Sequence, residues 1–264
     1  MIVGGSMGTS RKFAGIIFLL ASVSSAQAQT LRVAAAADLQ FAMNDLGSQF
    51  EKKAGTKVAV TYGSSGNFRT QIENGAPFDV FFSADAQYPQ ELVAAGAADA
   101  HSLFVYALGH LVLWAPGAEK LDVAKKGFDV LKDPVVTRIA IANPEHAPYG
   151  RAAAAALQKA GLYEQVKAKL VYGENISQTA QFVQSGSAQV GIIALSLTFA
   201  DSMKGGDQWM IPAEFYPTMQ QDAVIVSKSS NKAMAQAFLN FVKSGEGRAI
   251  LLKYGLTPPA PEKP

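Results

Sequence analysis

The sequence contains no cysteine among its 264 residues. This absence excludes disulfides, thiolate metal sites, a cysteine nucleophile and a lipid anchor on an N-terminal cysteine. Histidine is rare, with three residues, His101, His110 and His146, and only His146 lies in a predicted loop of a cleft. The Gly-x-Ser-x-Gly elbow, the His-Glu-x-x-His pair and the Walker loop are all missing. The sequence therefore gives little support to an enzyme.

A surplus of either charge is also lacking. The chain has 23 Lys and Arg against 21 Asp and Glu, and two of the basic residues, Arg11 and Lys12, lie in a segment that we expect to be removed. Because nucleic-acid-binding proteins usually carry a basic surplus, the balance argues against nucleic acid as a partner. The hydrophobic content of 49% and the charged content of 17% are typical of a globular protein with an ample core.

The N-terminal stretch predicts a targeting segment. Arg11 and Lys12 precede an apolar run over 13–25, which is short for a membrane span, and the small-x-small pattern of 26–28 follows it. We predict a signal peptide over 1–28, cut before Gln29, and a mature protein in the periplasm. A membrane anchor is the alternative, and Met7 is an alternative start because it keeps the basic residues and the apolar run.

The rest of the chain alternates between strand and helix patterns. Strands at 31–37, 58–62 and 78–83 run into polar loops at Asp38, Ser65 and Asp85, with helices after the first two. We expect Asp38 to be an N-cap and the second helix to cover 68–74. This rhythm predicts an α/β fold with a parallel sheet in the first unit, whose polar loops share the edge where ligands bind.

The same rhythm recurs after an apolar strand predicted at 108–114. It comprises strands at 138–142, 170–172 and 190–194, with a helix at 151–160 and another ending near 185, and a strand at 222–227 with helices at 232–243 and 245–254 leads back to the first unit. We predict a first lobe from 29–108 plus 213–264 and a second lobe from 109–212. Two crossings between lobes form a hinge that opens and closes a cleft.

The loop Thr61–Phe68, which contains Gly-Ser-Ser-Gly, is a candidate anion site. Its small residues let the backbone approach a ligand, and a loop that opens a helix directs several N–H groups to one spot. A serine-rich helix cap is the alternative interpretation. A second candidate is a cation site built from the oxygen and imidazole groups of Asp38, Asp85, Glu145 and His146.

Together, several segments carry a resemblance that none carries alone. They are 33–39, 63–66, 75–79, 82–85, 143–150, 190–193 and 253–256. With these segments the mature chain resembles the periplasmic molybdate-binding proteins of ABC transporters. The resemblance implies a type II periplasmic binding protein fold, with two mixed sheets flanked by helices and a ligand cleft between lobes. It further implies a monomer that passes molybdate or tungstate to an ABC permease, without catalysis and without a cofactor.

The resemblance also implies the ligand-binding residues. Ser65 would donate from its backbone and side chain, Ile176 from its backbone N–H, and Tyr149 stands where the family has a small residue or tyrosine. Asp38 replaces a serine of many members, and Ala194 replaces a tyrosine. Ser64 and Ala194 are additional candidates for the site.

Asp38 leaves the identity of the ligand open, because a carboxylate beside a dianion is repelled by several kcal/mol. Its side chain caps the helix, or it is protonated, or the ligand is different. The different ligand would be a protonated oxyanion such as phosphite, or a metal cation held by Asp38, Glu145 and His146. A hydrolase or transferase on the same scaffold is a further alternative.

Overall fold

The computed structural model describes residues 1–5 and 30–259. The basic residues, apolar run and cleavage site of the predicted signal peptide lie outside the described residues. Within the described part of the chain, no helix combines the length and the apolar character that crossing a membrane requires.

Ten strands and nine α-helices of the described residues alternate along most of the chain. The strands are β1 (Thr30–Ala36), β2 (Lys57–Gly63), β3 (Val80–Phe82), β4 (Phe104–Gly109), β5 (Leu111–Ala115), β6 (Ile139–Ala142), β7 (Leu170–Gly173), β8 (Val190–Ala194), β9 (Asp207–Met210) and β10 (Met219–Ile225). The helices are α1 (Gln40–Ala54), α2 (Ser65–Glu73), α3 (Gln87–Ala94), α4 (Val123–Lys126), α5 (Pro148–Lys159), α6 (Tyr163–Val166), α7 (Ile176–Gln184), α8 (Lys232–Lys243) and α9 (Gly245–Lys253).

The first sheet has the strand order β2-β1-β3-β10-β4. Strand β1 pairs in parallel with β2 and β3, whereas β10 runs antiparallel to β3 and β4. Helices cover both faces, so the central strands are apolar throughout and do not alternate with polar residues. Phe50 of α1 and Phe238 of α8 meet with their ring centroids 5.0 Å apart on one face. We call this sheet with α1, α2, α3, α8 and α9 the first lobe.

The second sheet has the order β7-β6-β8-β5-β9 and is also mixed. Strand β6 is parallel to β7 and β8, and β5 is antiparallel to β8 and β9. Alanines on α5 and the apolar side of α7 pack on this sheet in one continuous core. We call this sheet with α4, α5, α6 and α7 the second lobe.

The chain passes between the sheets at two places. Strand β4 belongs to the first sheet and β5 to the second, with His110 alone between them. The prediction of one strand over 108–114 is therefore wrong, because the apolar run is divided between two sheets. The second passage lies between β9 and β10. The predicted lobe boundaries after 108 and 212 stay predictions.

The structure also corrects the starts of several elements. A short 3-10 helix, Ala37–Leu39, separates β1 from α1, and Asp38 makes no side-chain capping bond, so the predicted cap is wrong. Helix α2 begins at Ser65 instead of Phe68. Helix α5 begins at Pro148 instead of Arg151, since proline suits the first turn of a helix, where its missing N–H has no partner to lose. The first sheet is mixed, not parallel.

Candidate functional site

A small cavity lies between the two lobes and gathers most of the predicted site residues. Asp38, Ser64 and Ser65 reach it from the first lobe, and Tyr149 and Ile176 from the second. The rest of its lining is backbone or small side chains apart from one amide and one proline: Ala36, Ala37, Gly63, Ala84, Ala147, Pro148 and Asn175. Of the described residues, no lysine, arginine or histidine lines it.

Two helices begin at this cavity, one from each lobe. Ser65 is the first residue of α2 and Ile176 the first residue of α7. The N–H groups of a helix's first turn have no partner within the helix, and the positive end of the helix dipole lies there. Among the described residues, the N–H groups of Ser65 and Ile176 donate to no backbone carbonyl, whereas the N–H of Asp38 lies beside its own carboxyl. The two helix N-termini therefore offer N–H donors to an anion, although no cationic side chain of the described residues lines the cavity.

Ser65 adds a hydroxyl to these N–H groups. Its side chain is buried, and its Oγ accepts a hydrogen bond of 2.9 Å from the backbone N–H of Ala84. That bond orients the oxygen and leaves the hydroxyl hydrogen free to be donated. Ser64 differs, because its hydroxyl donates to the carbonyl oxygen of His146 in the other lobe. The alternative of a serine cap is wrong here, since Ser64 makes no side-chain capping bond to α2.

The Asp38 side chain turns to a buried network at the base of the cavity. Its Oδ2 accepts hydrogen bonds from the Tyr149 hydroxyl at 3.1 Å and from Gln221 Nε2 at 2.8 Å. Burial raises the pKa of the Asp38 carboxyl to about 6, although these two donors act to lower it. Burial, and after it the nearby Asp38 carboxyl, raises the pKa of Tyr149 well above its ordinary value. The phenol is therefore a neutral donor. Gln221, which the sequence analysis missed, joins the two lobes here.

The lobes also touch around the rim of the cavity. Gly66 N–H of α2 donates to the His146 carbonyl oxygen at 3.0 Å. Arg151 of α5 donates to the Tyr88 hydroxyl at 2.8 Å and forms an ion pair with Asp85. Ser196, in the segment after β8, donates to the Asp38 carbonyl oxygen at 2.7 Å. These contacts describe a closed cleft.

Ala194 and the cation candidates do not join this site. Ala194 is paired with Leu111 inside the second sheet and is not part of the cavity lining. Asp85 is engaged by Arg151, and the His146 ring lies between Ser64 Oγ and Glu174. Among residues 1–5 and 30–259, no three His, Asp or Glu side chains are grouped as metal ligands would be. The alternative of a cation site from Asp38, Asp85, Glu145 and His146 is therefore wrong.

Comparison with known proteins decides the family. The model of the bacterial extracellular solute-binding proteins matches residues 31–257. The chain belongs to this family. It is 42% identical to the molybdate-binding protein ModA of Azotobacter vinelandii, over 88% of this chain and 91% of the relative. It is 41% identical to ModA of Rhodobacter capsulatus, over 84% of this chain and 86% of the relative.

The solved structures agree with these relatives. The periplasmic molybdate-binding protein of Azotobacter vinelandii superposes on this solute-binding protein with a TM-score of 0.81, at 36% identity, covering 87% of this chain and 99% of that one. The resemblance found in the sequence is confirmed, and so is the fold of two mixed sheets flanked by helices. The assignment of individual ligand-binding residues stays a prediction.

Proposed function

We propose that this solute-binding protein captures molybdate or tungstate in the periplasm and delivers it to an ABC permease. The observation that carries the proposal is the convergence of two helix N-termini and the Ser65 hydroxyl on one cavity between the lobes. The similar proteins from Azotobacter vinelandii and Rhodobacter capsulatus are molybdate-binding proteins, which supports the choice of ion. Asp38, Ser65, Tyr149 and Ile176 are the proposed binding residues, with Ser64 in a supporting contact.

Uncharged donors suit this task because the ion must be released again. N–H and O–H dipoles that are held in place compensate the lost hydration of a dianion without the strong attraction of lysine or arginine. The cavity is also small, and backbone and short side chains make up most of its lining. A compact inorganic ion therefore suits it better than an organic solute.

Closure of the lobes is the proposed mechanism of capture. An open cleft exposes the N-terminus of α2 on one side and that of α7 on the other. Closure brings both to the ion, and the rim contacts of Gly66 and Arg151 then shield it from water. The permease would recognise the closed form. We propose a monomer that has no enzymatic activity and no nucleic-acid partner.

A ligand screen by calorimetry and thermal unfolding tests the function. Molybdate, tungstate, sulfate, phosphate, phosphite and divalent or ferric cations are compared with the unliganded protein. Molybdate and tungstate are expected to raise the unfolding midpoint strongly, since a ligand at a hundred times its Kd adds about 2.7 kcal/mol. Stabilisation by cations alone, or by none of the ions, contradicts the proposal. Molybdate and tungstate have nearly the same size and charge, so both are expected to bind.

A further inference from the structure

The buried Asp38 network has two oxygen atoms without a donor. Asp38 Oδ1 and Gln221 Oε1 are both buried and, among the described residues, neither has a hydrogen-bond partner. Leaving buried polar atoms unpaired costs free energy, so such atoms indicate a proton or a ligand that completes them. Asp38 also lines the ligand cavity. The carboxyl that bears the unpaired oxygen therefore belongs to a residue of the site where the oxyanion is proposed to bind.

No positive charge balances this carboxylate. Among the described residues, Asp38 forms no ion pair with lysine, arginine or histidine. The titratable groups next to it are Tyr149 on α5 and Tyr106 on β4, and the groups that act on these two tyrosines are Asp85 after β3, Asp222 on β10 and Tyr216 before β10. Each of these groups is neutral when protonated and negative when ionised, so none of them stabilises a charged Asp38.

An oxyanion in the cavity increases the conflict. A dianion that is held at the N-terminus of α2 would lie beside the buried Asp38, whose carboxylate is ionised. Two like charges a few ångströms apart repel by several kcal/mol at intermediate dielectric, and a dianion doubles that amount. The neutral donors at Oδ2, Tyr149 and Gln221, do not offset it. A single proton on Asp38 removes the repulsion altogether.

We propose that Asp38 is a specificity-determining acid which takes up one proton when a fully deprotonated oxyanion fills the cleft, so that dianion and proton bind together. The inference rests on the proposed function. The proton converts Oδ1 from an unpaired acceptor into a donor, in a network whose Gln221 Oε1 is also an unpaired acceptor. The empty protein has its Asp38 mostly ionised above pH 6, because burial raises that pKa only to about 6. At neutral pH the proton is therefore taken from solvent on binding.

Isothermal titration calorimetry measures this proton directly. Molybdate is titrated into the purified protein at pH 7.5 in two buffers with different ionisation enthalpies, and the difference in heat gives the protons taken up. About one proton per molybdate is expected. The Kd for molybdate should also rise about tenfold between pH 7 and pH 8. Difference infrared spectra should show the carbonyl band of a protonated carboxylic acid when molybdate is added.

Three variants test whether Asp38 is the group that takes up the proton. In Asp38→Asn the uptake, the infrared band and the pH dependence of Kd should all vanish. In Asp222→Asn, which removes a buried carboxyl adjacent to Gln221 but outside the cavity, they should persist. His146→Gln should also keep the uptake, although His146 lies near Glu174 on the rim. Uptake lost in His146→Gln and kept in Asp38→Asn would overturn the assignment.

If a variant fails to fold, measurements on the wild-type protein alone still test the role of Asp38. Molybdate binding with no proton uptake, no acid band and a Kd independent of pH overturns the role of Asp38, while the proposed function stands. Failure of the wild-type protein to bind molybdate or tungstate at any pH overturns the proposed function itself, and this inference with it. Uptake of one proton, lost in Asp38→Asn, supports both.

Discussion

At the scale of single residues, the cavity divides its two serines between different tasks. Ser65 Oγ accepts from Ala84 and retains a hydrogen to donate, whereas Ser64 donates to the carbonyl of His146 across the cleft. One serine thus keeps a hydrogen to donate in the cavity, and the other helps to hold the lobes together. The pattern Gly-Ser-Ser-Gly does not tell the two apart, because the distinction depends on a partner 82 residues away along the chain.

Ser65→Ala should weaken oxyanion binding. A hydrogen bond to a charged group contributes about 1.5–3 kcal/mol, so the Kd for molybdate is expected to rise about ten- to a hundredfold in calorimetry. Ser102→Ala is the matched control, since Ser102 is equally buried but bonds the backbone of Asp99 and Ile225 away from the cavity. The control should lose stability and keep its Kd. Equal Kd values for Ser65→Ala and the wild type would exclude a contact between the hydroxyl and the ion.

Asp38→Asn should stabilise the empty protein at neutral pH. The folded-state pKa of about 6 lies above the ordinary value of 3.8, so folding favours the protonated acid. The native protein therefore loses stability as pH rises from about 4 to 6, and above pH 6 the loss is complete, at about 3 kcal/mol for a shift of this size. Asparagine has no charge to bury and avoids this loss.

Urea unfolding without ligand at pH 4, 6 and 7.5 measures the effect. The advantage of Asp38→Asn over the wild type should be greatest at pH 7.5 and should shrink as pH falls toward 4. An advantage that is the same at all three pH values would show that ionisation of Asp38 is not its cause.

At the scale of elements, the N-terminus of α2 lies so close to the second lobe that only glycine fits there. A Cβ on Gly66 would lie 2.7 Å from the carbonyl oxygen of His146 and 2.7 Å from the Tyr88 hydroxyl. Real Cβ atoms do not approach other atoms so closely. The backbone bond from Gly66 N–H to His146, which helps to close the cleft, depends on the absence of a side chain.

Gly66→Ala should prevent full closure and raise the Kd for molybdate at least tenfold, because the clash with the backbone carbonyl of His146 arises only when the lobes meet. Gly47→Ala is the matched control. Gly47 is also helical, and its Cβ would meet Val58 at an ordinary 3.6 Å. Both changes raise helix propensity, by about 1 kcal/mol at an interior position, so neither should reduce stability greatly. A Kd unchanged in Gly66→Ala would mean that binding does not require this approach.

Local patterns predicted most elements but not their division between sheets. The sequence pattern correctly predicted β1, α1, α8 and α9, because the apolar positions that indicate each of these elements lie within a single segment. The run over 108–114 appeared as one strand because both halves are equally apolar, and nothing local shows that β5 pairs in another sheet. Strand β9 was missed because its residues are half-exposed and not strongly apolar.

At the scale of the whole molecule, the site depends on contacts that no local pattern contains. Asp38 and Gln221 are 183 positions apart, and Asp38 and Tyr149 are 111 apart. The sequence resemblance pointed to the lining residues from both lobes, but Gln221 emerged only from the fold. The same holds for the rim, where an ion pair links the lobes over 66 positions, between Asp85 and Arg151.

Arg151 should control how long the ion stays bound. It pairs with Asp85 and donates to Tyr88 across the cleft, and its side chain is partly exposed, so solvent reduces the strength of the pair. Arg151→Gln is expected to increase the dissociation rate of molybdate about three- to tenfold. The association rate should change little, because the ion enters the open form, in which these contacts do not exist.

Stopped-flow kinetics in the presence of excess competing tungstate separates the two rates. Lys132→Gln is the control, since Lys132 pairs with Asp129 within one short segment of the second lobe and links no lobes. Its dissociation rate should equal that of the wild type. If Arg151→Gln slowed association and left dissociation unchanged, the ion pair would act on entry of the ion and not on its retention. Closure would then depend on the other contacts between the lobes, such as those of Gly66, Tyr149 and Ser196.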